Sequence, residues 1–397
     1  METTAAFTGL ECRESGRTFD ADEVTHRCPD CDGALDPAYD YERIDLDRET
    51  LAGRPFDSLW RYEELLPVPR ESAVTMDEGT TPLVDCPRLA AELGVGQVLI
   101  KDDGRNPTGT ATDRGQTVAV TAATQHGTTD VALASTGNAG QAAAAYAGRA
   151  GLDAHVYLPA RSGFTNKAMV NVHGGDMNVV GGRIDDAVAA SEEGLAEHDD
   201  WYSLQPFTTP YRHEGNKTIY YELVEQLGWT VPDAICYPTG NGAGLVGMYK
   251  GATEFRELGL TDAIPAFYAT QAAGCAPIVE AVENDRDEHA PVENPDTICG
   301  GIEIPDPGAS PWILEAIRES DGGAVATEDP DILDAAVQVA QHEGLEMAPS
   351  CAAAASGAWE LAERGTFEGD ETIVILNTGT GNKEADVLRS HLMSQGI

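Results

Sequence analysis

A chain of 397 residues that is 42% hydrophobic can bury one or two cores, and 67 acidic against 25 basic residues give it a net charge of −42. That charge excludes nucleic acid and anionic membrane surfaces as partners, since both need a basic face. A bilayer span is excluded too, because the long uncharged run 131–148 is broken by Ser135, Gly137, Asn138, Gly140 and Gln141.

The acids are spread along the chain and not gathered in a tail, so a folded body is expected. Five of the basic residues are lysines: Lys101, Lys167, Lys217, Lys250 and Lys383. Such a composition suits a cytoplasm at very high salt, where self-repulsion is screened. Met1-Glu-Thr-Thr4 carries neither a basic nor an apolar signal region, which also points to the cytoplasm. Cys12, Cys28 and Cys31 crowd the N-terminus, while Cys86, Cys236, Cys275, Cys299 and Cys351 lie singly, unlike a secreted disulfide framework.

Residues 1–40 form a short segment rich in Cys, Asp and Gly, and a polar stretch follows through Arg70. Beyond it, β-type runs alternate with helical patterns. Strands are expected at 98–101, 130–134, 155–158, 234–237, 266–270 and 372–376. Helices are expected at 140–150, 184–198, 215–227, 244–258, 330–343 and 350–364. Asp329 is read as the cap of one helix, with Pro330 in its first turn. Alternation of this kind argues for parallel sheets with helices on both faces. Ligands then sit on loops that leave the carboxyl ends of strands. Two such loops stand out.

The run 130–134 leads into Ser135-Thr-Gly-Asn-Ala-Gly140 and an alanine-rich helix. Ser135, Thr136 and the helix amides can hold a carboxylate, and Asn138 can hydrogen-bond a ring hydroxyl. Ordinary helix capping is the plainer alternative. The run 234–237 leads into Pro238-Thr-Gly-Asn-Gly-Ala-Gly-Leu-Val-Gly247. Here Gly240, Gly242 and Gly244 clear side chains from the turn. Backbone N–H groups from Gly240, Asn241, Gly242, Ala243 and Gly244 can then converge on a phosphate. A tight strand-to-helix turn without a ligand is the alternative. Gly242, Gly244 and Gly247 also fit G-x-G-x-x-G, which keeps an NAD(P) site open as a remote reading. Glu254 and Glu257 follow too soon to meet a ribose.

Other segments fall in one order along the chain: Ser58-Leu-Trp-Arg-Tyr62, Glu78-Gly-Thr-Thr-Pro-Leu83, Lys101-Asp-Asp-Gly-Arg-Asn-Pro-Thr-Gly109, Ala134-Ser-Thr-Gly-Asn138, Gly181-Gly-Arg-Ile-Asp-Asp186, Glu214-Gly-Asn-Lys-Thr218, Gln271-Ala-Ala-Gly-Cys-Ala-Pro277 and Asn377-Thr-Gly-Thr-Gly381. Together they resemble the threonine synthase family of pyridoxal-phosphate (PLP) enzymes, which convert O-phosphohomoserine to threonine and phosphate. The resemblance implies fold-type II: two three-layer α/β domains with mainly parallel sheets, and a short N-terminal zinc-ribbon-like knuckle in residues 1–40. Residues 41–105 and 206–397 would form the large PLP-binding domain, and residues 106–205 a smaller inserted one. It also implies that Gly240–Gly244 cradle the cofactor phosphate and that Asn138 touches the pyridine 3-hydroxyl. Thr378 would face the pyridine nitrogen, Ser135 and Thr136 would hold the substrate carboxylate, and the protein would be a dimer.

One position departs in a way that matters chemically. The family's Pro-Thr-Gly-Ser-Phe-Lys-Asp-Arg-Gly reads Pro107-Thr-Gly-Thr-Ala-Thr-Asp-Arg-Gly115, so Thr112 stands where a lysine links to the cofactor. A hydroxyl forms no imine, and its pKa is far too high for a base near neutrality. Loss of acid–base work alone costs about 10²–10⁴-fold. Lys101 is the nearest alternative lysine in sequence. Ala348-Pro-Ser-Cys-Ala352 replaces the family's Glu-Pro-Ser-Ser-Ala, and Thr378-Gly-Thr-Gly-Asn-Lys383 replaces Thr-Gly-His-Gly-Leu-Lys. Two expectations follow. The chain is a threonine-synthase-like lyase working by an unusual route or on a different amino acid, or it is a pseudoenzyme. The pseudoenzyme would hold PLP non-covalently or an amino-acid phosphate, as a homodimer or as a heterodimer with an active paralogue.

Cys12-Arg-Glu-Ser15 and Cys28-Pro-Asp-Cys31 resemble a zinc ribbon in which Ser15 replaces one thiol. Cys12, Cys28 and Cys31 are the candidate zinc ligands, and His26 is a candidate fourth, since structural sites close with four protein ligands. A relic knuckle without metal is the alternative.

Overall fold

The computed structural model describes residues 1–396. In chain order the strands are β1 (Phe7–Cys12), β2 (Thr18–Phe19), β3 (Leu35–Tyr39), β4 (Leu83–Asp85), β5 (Gln97–Asp102), β6 (Asp130–Ala134), β7 (Asp153–Pro159), β8 (Asp176–Val180), β9 (Trp201–Ser203), β10 (Ala234–Pro238), β11 (Ala266–Ala272), β12 (Gly323–Thr327) and β13 (Thr372–Asn377). Among the described residues they form three sheets, ordered β2-β1-β3, β12-β11-β10-β13-β5-β4 and β8-β7-β6-β9. The first is antiparallel. The third is parallel throughout, and the second is parallel except for β4. This is the α/β architecture with mainly parallel sheets that the alternating pattern implies. No helix among the described residues is long and apolar enough to cross a membrane.

The chain divides into two compact units. The first comprises Met1–Thr80, Thr112–Tyr221 and Thr253–Leu260. It holds the β1–β3 sheet and the β6–β9 sheet over a core that includes Leu10, Leu35, Trp60, Val118, Leu133, Tyr146 and Val156. The second comprises Thr81–Ala111, Glu222–Ala252 and the chain from Thr261 onward. Its six-stranded sheet packs on a core that includes Val98, Ile100, Cys236, Val325, Ile373 and the alanine run Ala352–Ala355 of the Pro349–Glu363 helix.

Several helices of the first unit are absent from the sequence reading, Arg48–Ala52 and Phe164–Val172 among them, and Thr112–Gln125 bears most on the site. Thr112–Gln125 carries β-branched residues at Thr112, Thr117, Val118, Val120, Thr121 and Thr124, all poor in intrinsic helix propensity. Burial overrides that preference, because the helix is buried from Asp113 through Ala123. Its hydroxyls are satisfied locally: Thr117 Oγ1 donates to Val74 O and Thr121 Oγ1 to Thr117 O, each at 2.7 Å. The helix crosses Arg212–Gln226 backbone to backbone. A Cβ at Gly215 would lie 1.8 Å from Arg114 O, and one at Gly115 would lie 2.7 Å from Arg212 O. Glycine at both positions sets where the Thr112 end of the helix lies.

In the second unit, the expected cap is corrected. The N-cap of the Asp329–Glu343 helix is Glu328, without a side-chain capping bond. The Asp329 carboxylate instead accepts from Thr297 Oγ1 at 2.5 Å and Ile298 N at 2.9 Å.

Candidate functional site

The two candidate ligand loops belong to different units, and each is built within its own. In the first unit, β6 ends at Ala134 and the chain turns through Ser135-Thr-Gly137 into the Asn138–Ala150 helix. Gly137 has a φ of 149°, which disfavours any side chain there. Ser135 Oγ accepts from Gly137 N and Gly140 N, each at 2.9 Å, and so fixes the turn from within. Among the described residues, the N–H groups of Thr136, Asn138 and Ala139 meet no acceptor. Asn138 Oδ1 is buried and also unpartnered.

Thr112 opens its helix with Oγ1 3.4 Å from Asn138 O, to which it donates. Gln116 lies one turn further on the same face. It donates Nε2 to Ala139 O at 3.4 Å and leaves Oε1 orphaned. The structure thus brings Thr112, Ser135, Thr136 and Asn138 to one loop.

In the second unit, β10 ends at Pro238 and Thr239-Gly-Asn-Gly242 turns into the Ala243–Glu257 helix. Asn241 Oδ1 accepts from Ala243 N at 2.9 Å. Glycine is needed at two positions: a Cβ at Gly242 would lie 2.2 Å from Ile313 Cδ1, and one at Gly244 would lie 1.7 Å from the Tyr237 hydroxyl. The N–H groups of Gly240, Asn241, Gly242, Gly244 and Leu245 meet no acceptor among the described residues. Five unmet donors at a helix N-terminus form an anion cradle.

Thr378, just past β13, donates Oγ1 to Cys351 Sγ at 3.1 Å. Its carbonyl accepts from Ala111 N at 2.9 Å and Thr110 Oγ1 at 3.1 Å. Burial pushes the Cys351 thiol up to about 12. The sequence reading passed over Glu384. Its half-buried side chain brings a carboxylate oxygen 3.3 Å from Ser350 Oγ, and desolvation raises its pKa.

The lysines are held elsewhere. Lys101 Nζ meets Glu222 Oε2 and Thr81 O at 2.8 Å and Gln226 Oε1 at 2.9 Å. Lys217 Nζ meets Glu214 at 2.7 Å, Glu254 at 2.9 Å and Leu65 O at 2.7 Å. Lys167 donates to Ala160 O at 2.6 Å. Lys250 and Lys383 are engaged as well. Lys383 packs on the lysine-motif segment, where a Cβ at Gly109 would meet its Cε at 3.2 Å. Only the fold brings these two residues together.

At the N-terminus, the thiols of Cys12, Cys28 and Cys31 lie within 4.8 Å of one another. Cys12 and Cys31 Sγ are 3.5 Å apart, and Ser15 Oγ is 3.7 Å from Cys28 Sγ. His26 is committed elsewhere: its Nε2 accepts from Ser203 N at 3.0 Å. Ser15, not His26, is therefore the fourth group at the thiols. A second cluster, Asp36, His213 and Glu214, is already neutralised by Arg13 and Lys217. A cavity of about 1120 Å³ in the first unit is lined by His26, Cys28, His126, His198, Trp201 and Tyr202, next to the knuckle and away from the Ser135 loop.

Residues 74–379 match the family model for pyridoxal-phosphate dependent enzymes. The chain is 42% identical over 371 residues to a threonine synthase of Methanosarcina acetivorans, covering 93% of this chain and 91% of the relative. It is 39% identical over 379 residues to a threonine synthase of Methanocaldococcus jannaschii, covering 94% and 93%. Among solved structures, maize serine racemase is similar with a TM-score of 0.67 at 18% identity, covering 80% of this chain and 94% of that one. A fungal L-serine ammonia-lyase from Rhizomucor miehei is similar with a TM-score of 0.68 at 22% identity, covering 78% and 97%. At those identities the structures speak for a shared fold alone.

Proposed function

The chain belongs to the pyridoxal-phosphate-dependent enzymes and, within them, to the threonine synthase family, and from that footing we propose that it binds PLP without a covalent link, together with an amino acid or its phosphate, and has lost lysine-dependent turnover of O-phosphohomoserine. The observation that carries this reading is Thr112, whose hydroxyl donates to Asn138 O at 3.4 Å in the place of the linking lysine. Residues of each unit, taken separately, suit parts of the cofactor. The orphaned Asn138 Oδ1 suits the ring hydroxyl, and the unmet amides at 240–245 suit the phosphate. Thr378 suits the pyridine nitrogen, and Ser135, Thr136 and the free amides of their loop suit a carboxylate.

PLP, when bound, supplies an electron-withdrawing ring that stabilises negative charge on substrate carbons. The chain's own residues bind and orient: backbone donors fix the phosphate and carboxylate, and Asn138 fixes the ring's rotation. Proton movement is what they lack. The Thr112 hydroxyl gives up no proton near neutral pH, and Lys101 and Lys217 are held by buried carboxylates. A high-salt cytoplasm fits the composition, and the family resemblance points to a homodimer or to a heterodimer with a lysine-bearing paralogue. The nicotinamide reading of Gly242, Gly244 and Gly247 finds no support, since that loop lies inside the match to PLP enzymes.

The test is a PLP titration in molar KCl followed by a borohydride trap. Saturable binding that borohydride does not fix is the expected result. A fixed adduct on the natural chain overturns the reading. Mapped to Lys383, which packs against Gly109, it would favour an enzyme working through a displaced lysine.

The N-terminal thiols add an accessory site. Zn–S bonds of about 2.3 Å place tetrahedral sulfurs about 3.8 Å apart, close to the Cys12–Cys31 separation of 3.5 Å. With Ser15 as the fourth donor, the trio suits a zinc ion that ties β1 to the Cys28–Cys31 turn.

A further inference from the structure

Two tight turns bring the N-terminal thiols together. In one, Cys12 N donates to Arg17 O and Gly16 N to Cys12 O, each at 2.8 Å. In the other, Cys28 N donates to Gly33 O and Asp32 N to Cys28 O, each at 2.9 Å. Asp32 closes that turn with a φ of 59°, a left-handed conformation that Asp tolerates. Leu10 and Cys12 alternate with the outward Glu11 along β1, so the Cys12 thiol points into the core. Cys12 is accordingly 0% exposed and Cys28 2%, whereas Cys31 is exposed. A thiol that a solute can reach is thus backed at 3.5 Å by one that it cannot. Cys28 Sγ is met instead by Ser15 Oγ at 3.7 Å. A disulfide needs its sulfurs about 2.05 Å apart, so Cys12 and Cys31 would close by about 1.5 Å to form one.

Cys28 and Cys31 also stand in the wall of the large cavity, all of whose lining residues belong to the first unit. The charge of that wall is one-sided. Asp30, Asp32, Asp199 and Asp200 line it against Arg27 alone, and the Arg27 guanidinium is turned to the Asp32 carbonyl. An acidic wall concentrates cationic solutes and repels anionic ones.

We infer that the thiols form a disulfide-exchange site, at which a small amine-bearing disulfide enters the cavity, reacts at Cys31 and leaves Cys12 and Cys31 joined. The Cys31 thiolate attacks one sulfur of RS–SR, the S–S bond breaks, and RS⁻ leaves with the electron pair. The Cys12 thiolate then attacks the Cys31 sulfur of the mixed disulfide and expels the second RS⁻. The two thiol protons end on the two thiolates released. The chain's dithiol is oxidised by two electrons, and the incoming disulfide is reduced to two RSH. The exchange needs neither PLP nor metal. Where zinc is bound as read under Proposed function, it takes two thiolates from the ion and frees it.

The test uses the full chain in molar KCl at mildly alkaline pH, stripped of zinc and PLP, so its outcome is independent of the readings above. Cystamine is the cationic disulfide and dithiodiglycolate the anionic one. Remaining thiols are alkylated after unfolding, and linked peptides are mapped by mass. With cystamine, two of the eight cysteines are expected to lose their thiols. The linked peptides should contain Cys12 and Cys31, and no half of cystamine should stay on the chain. Cys12→Ala should trap that half on Cys31. Cys31→Ser should not react, and because its position is exposed it folds as the natural chain does. If Cys12→Ala fails to fold, the peptide map of the natural chain still decides. At the lowest KCl that keeps the chain folded, cystamine should react about tenfold faster than dithiodiglycolate, with the ratio shrinking as KCl rises. Thiols left intact by excess cystamine overturn the site, as does a half-cystamine that stays on Cys31 of the natural chain with Cys12 free. A Cys28–Cys31 link overturns Cys12 as the second thiol. Equal rates for the two disulfides at low KCl overturn the amine-bearing ligand class.

Discussion

Lys101 Nζ lies 2.8 Å from Glu222 Oε2, and both side chains are fully buried. The ammonium also meets Thr81 O and Gln226 Oε1, so all three of its donors are used. Releasing it for chemistry would take the Lys101 cation away from the buried Glu222 carboxylate. Lys101→Met should therefore cost about 3–5 kcal/mol in denaturant unfolding, and adding Glu222→Gln should recover most of it. PLP binding, read by absorbance on the folded fraction, should not change. A folded Lys101→Met protein that no longer binds PLP would tie this lysine to the cofactor and sink the structural account.

Thr112→Lys tests the position directly. The Gly115–Gly215 crossing fixes the helix that carries residue 112, so the new amine emerges at the Ser135 loop. Borohydride in the presence of PLP should fix an adduct on Lys at position 112, located by peptide mass mapping, and none on the natural chain. If threonine formation from O-phosphohomoserine appears, the restored acid–base group accounts for about 10²–10⁴-fold of it. An adduct without turnover would place the remaining loss on the other changed positions, Ala348 and Thr380 among them.

How far these arguments reach from sequence depends on the element. β6 falls at the expected 130–134, because a parallel strand buried on both faces reads as a short apolar run. The two loops after β6 and β10 were legible as strand-to-helix turns from their glycines and hydroxyls at strand ends. The Thr112–Gln125 helix was not, since its threonines and valines favour strands and only burial makes them helical. The partners of Lys101, the packing of Lys383 on Gly109, and the approach of Gln116 and Asn166 to one loop all join residues distant in the chain. No local pattern encodes them. His26 misled for the same reason, because its partner Ser203 belongs to β9.

His26 should make stability depend on pH. Burial, with a smaller contribution from His126, pushes its pKa from the usual 6.5 down to about 4. Because the folded value is the lower one, the unfolded chain takes up the proton first. The contribution is complete above about pH 6.5 and is lost as pH falls toward 4, on the order of 3 kcal/mol in all. His26→Asn should show a shallower decline in unfolding free energy between pH 7 and pH 5 than the natural protein, while the carboxylates affect both alike. Identical slopes would remove His26 as a source.

The N-terminal thiols offer a prediction that separates a metal site from a relic. Cys12 ends β1, packed in the same core as Leu10, Phe19 and Leu35, whereas Cys31 is exposed. A zinc ion on Cys12, Cys28, Cys31 and Ser15 would thus stabilise the first unit from its edge. Under reducing conditions, which keep Cys12 and Cys31 from pairing, zinc at a hundredfold of its Kd should stabilise the natural chain by about 2.7 kcal/mol. Ser15→Cys supplies a fourth thiolate, the softer donor that closed structural sites use, and should tighten zinc binding in a chelator competition. Cys31→Ser should loosen it, and because Cys31 is exposed the metal-free protein should melt as before. The thiolates bind only when deprotonated, so affinity should fall as the solution is acidified. Zinc that leaves the melting temperature of both the natural chain and Ser15→Cys unmoved would mean that three clustered thiols and a serine remain from a site that no longer closes.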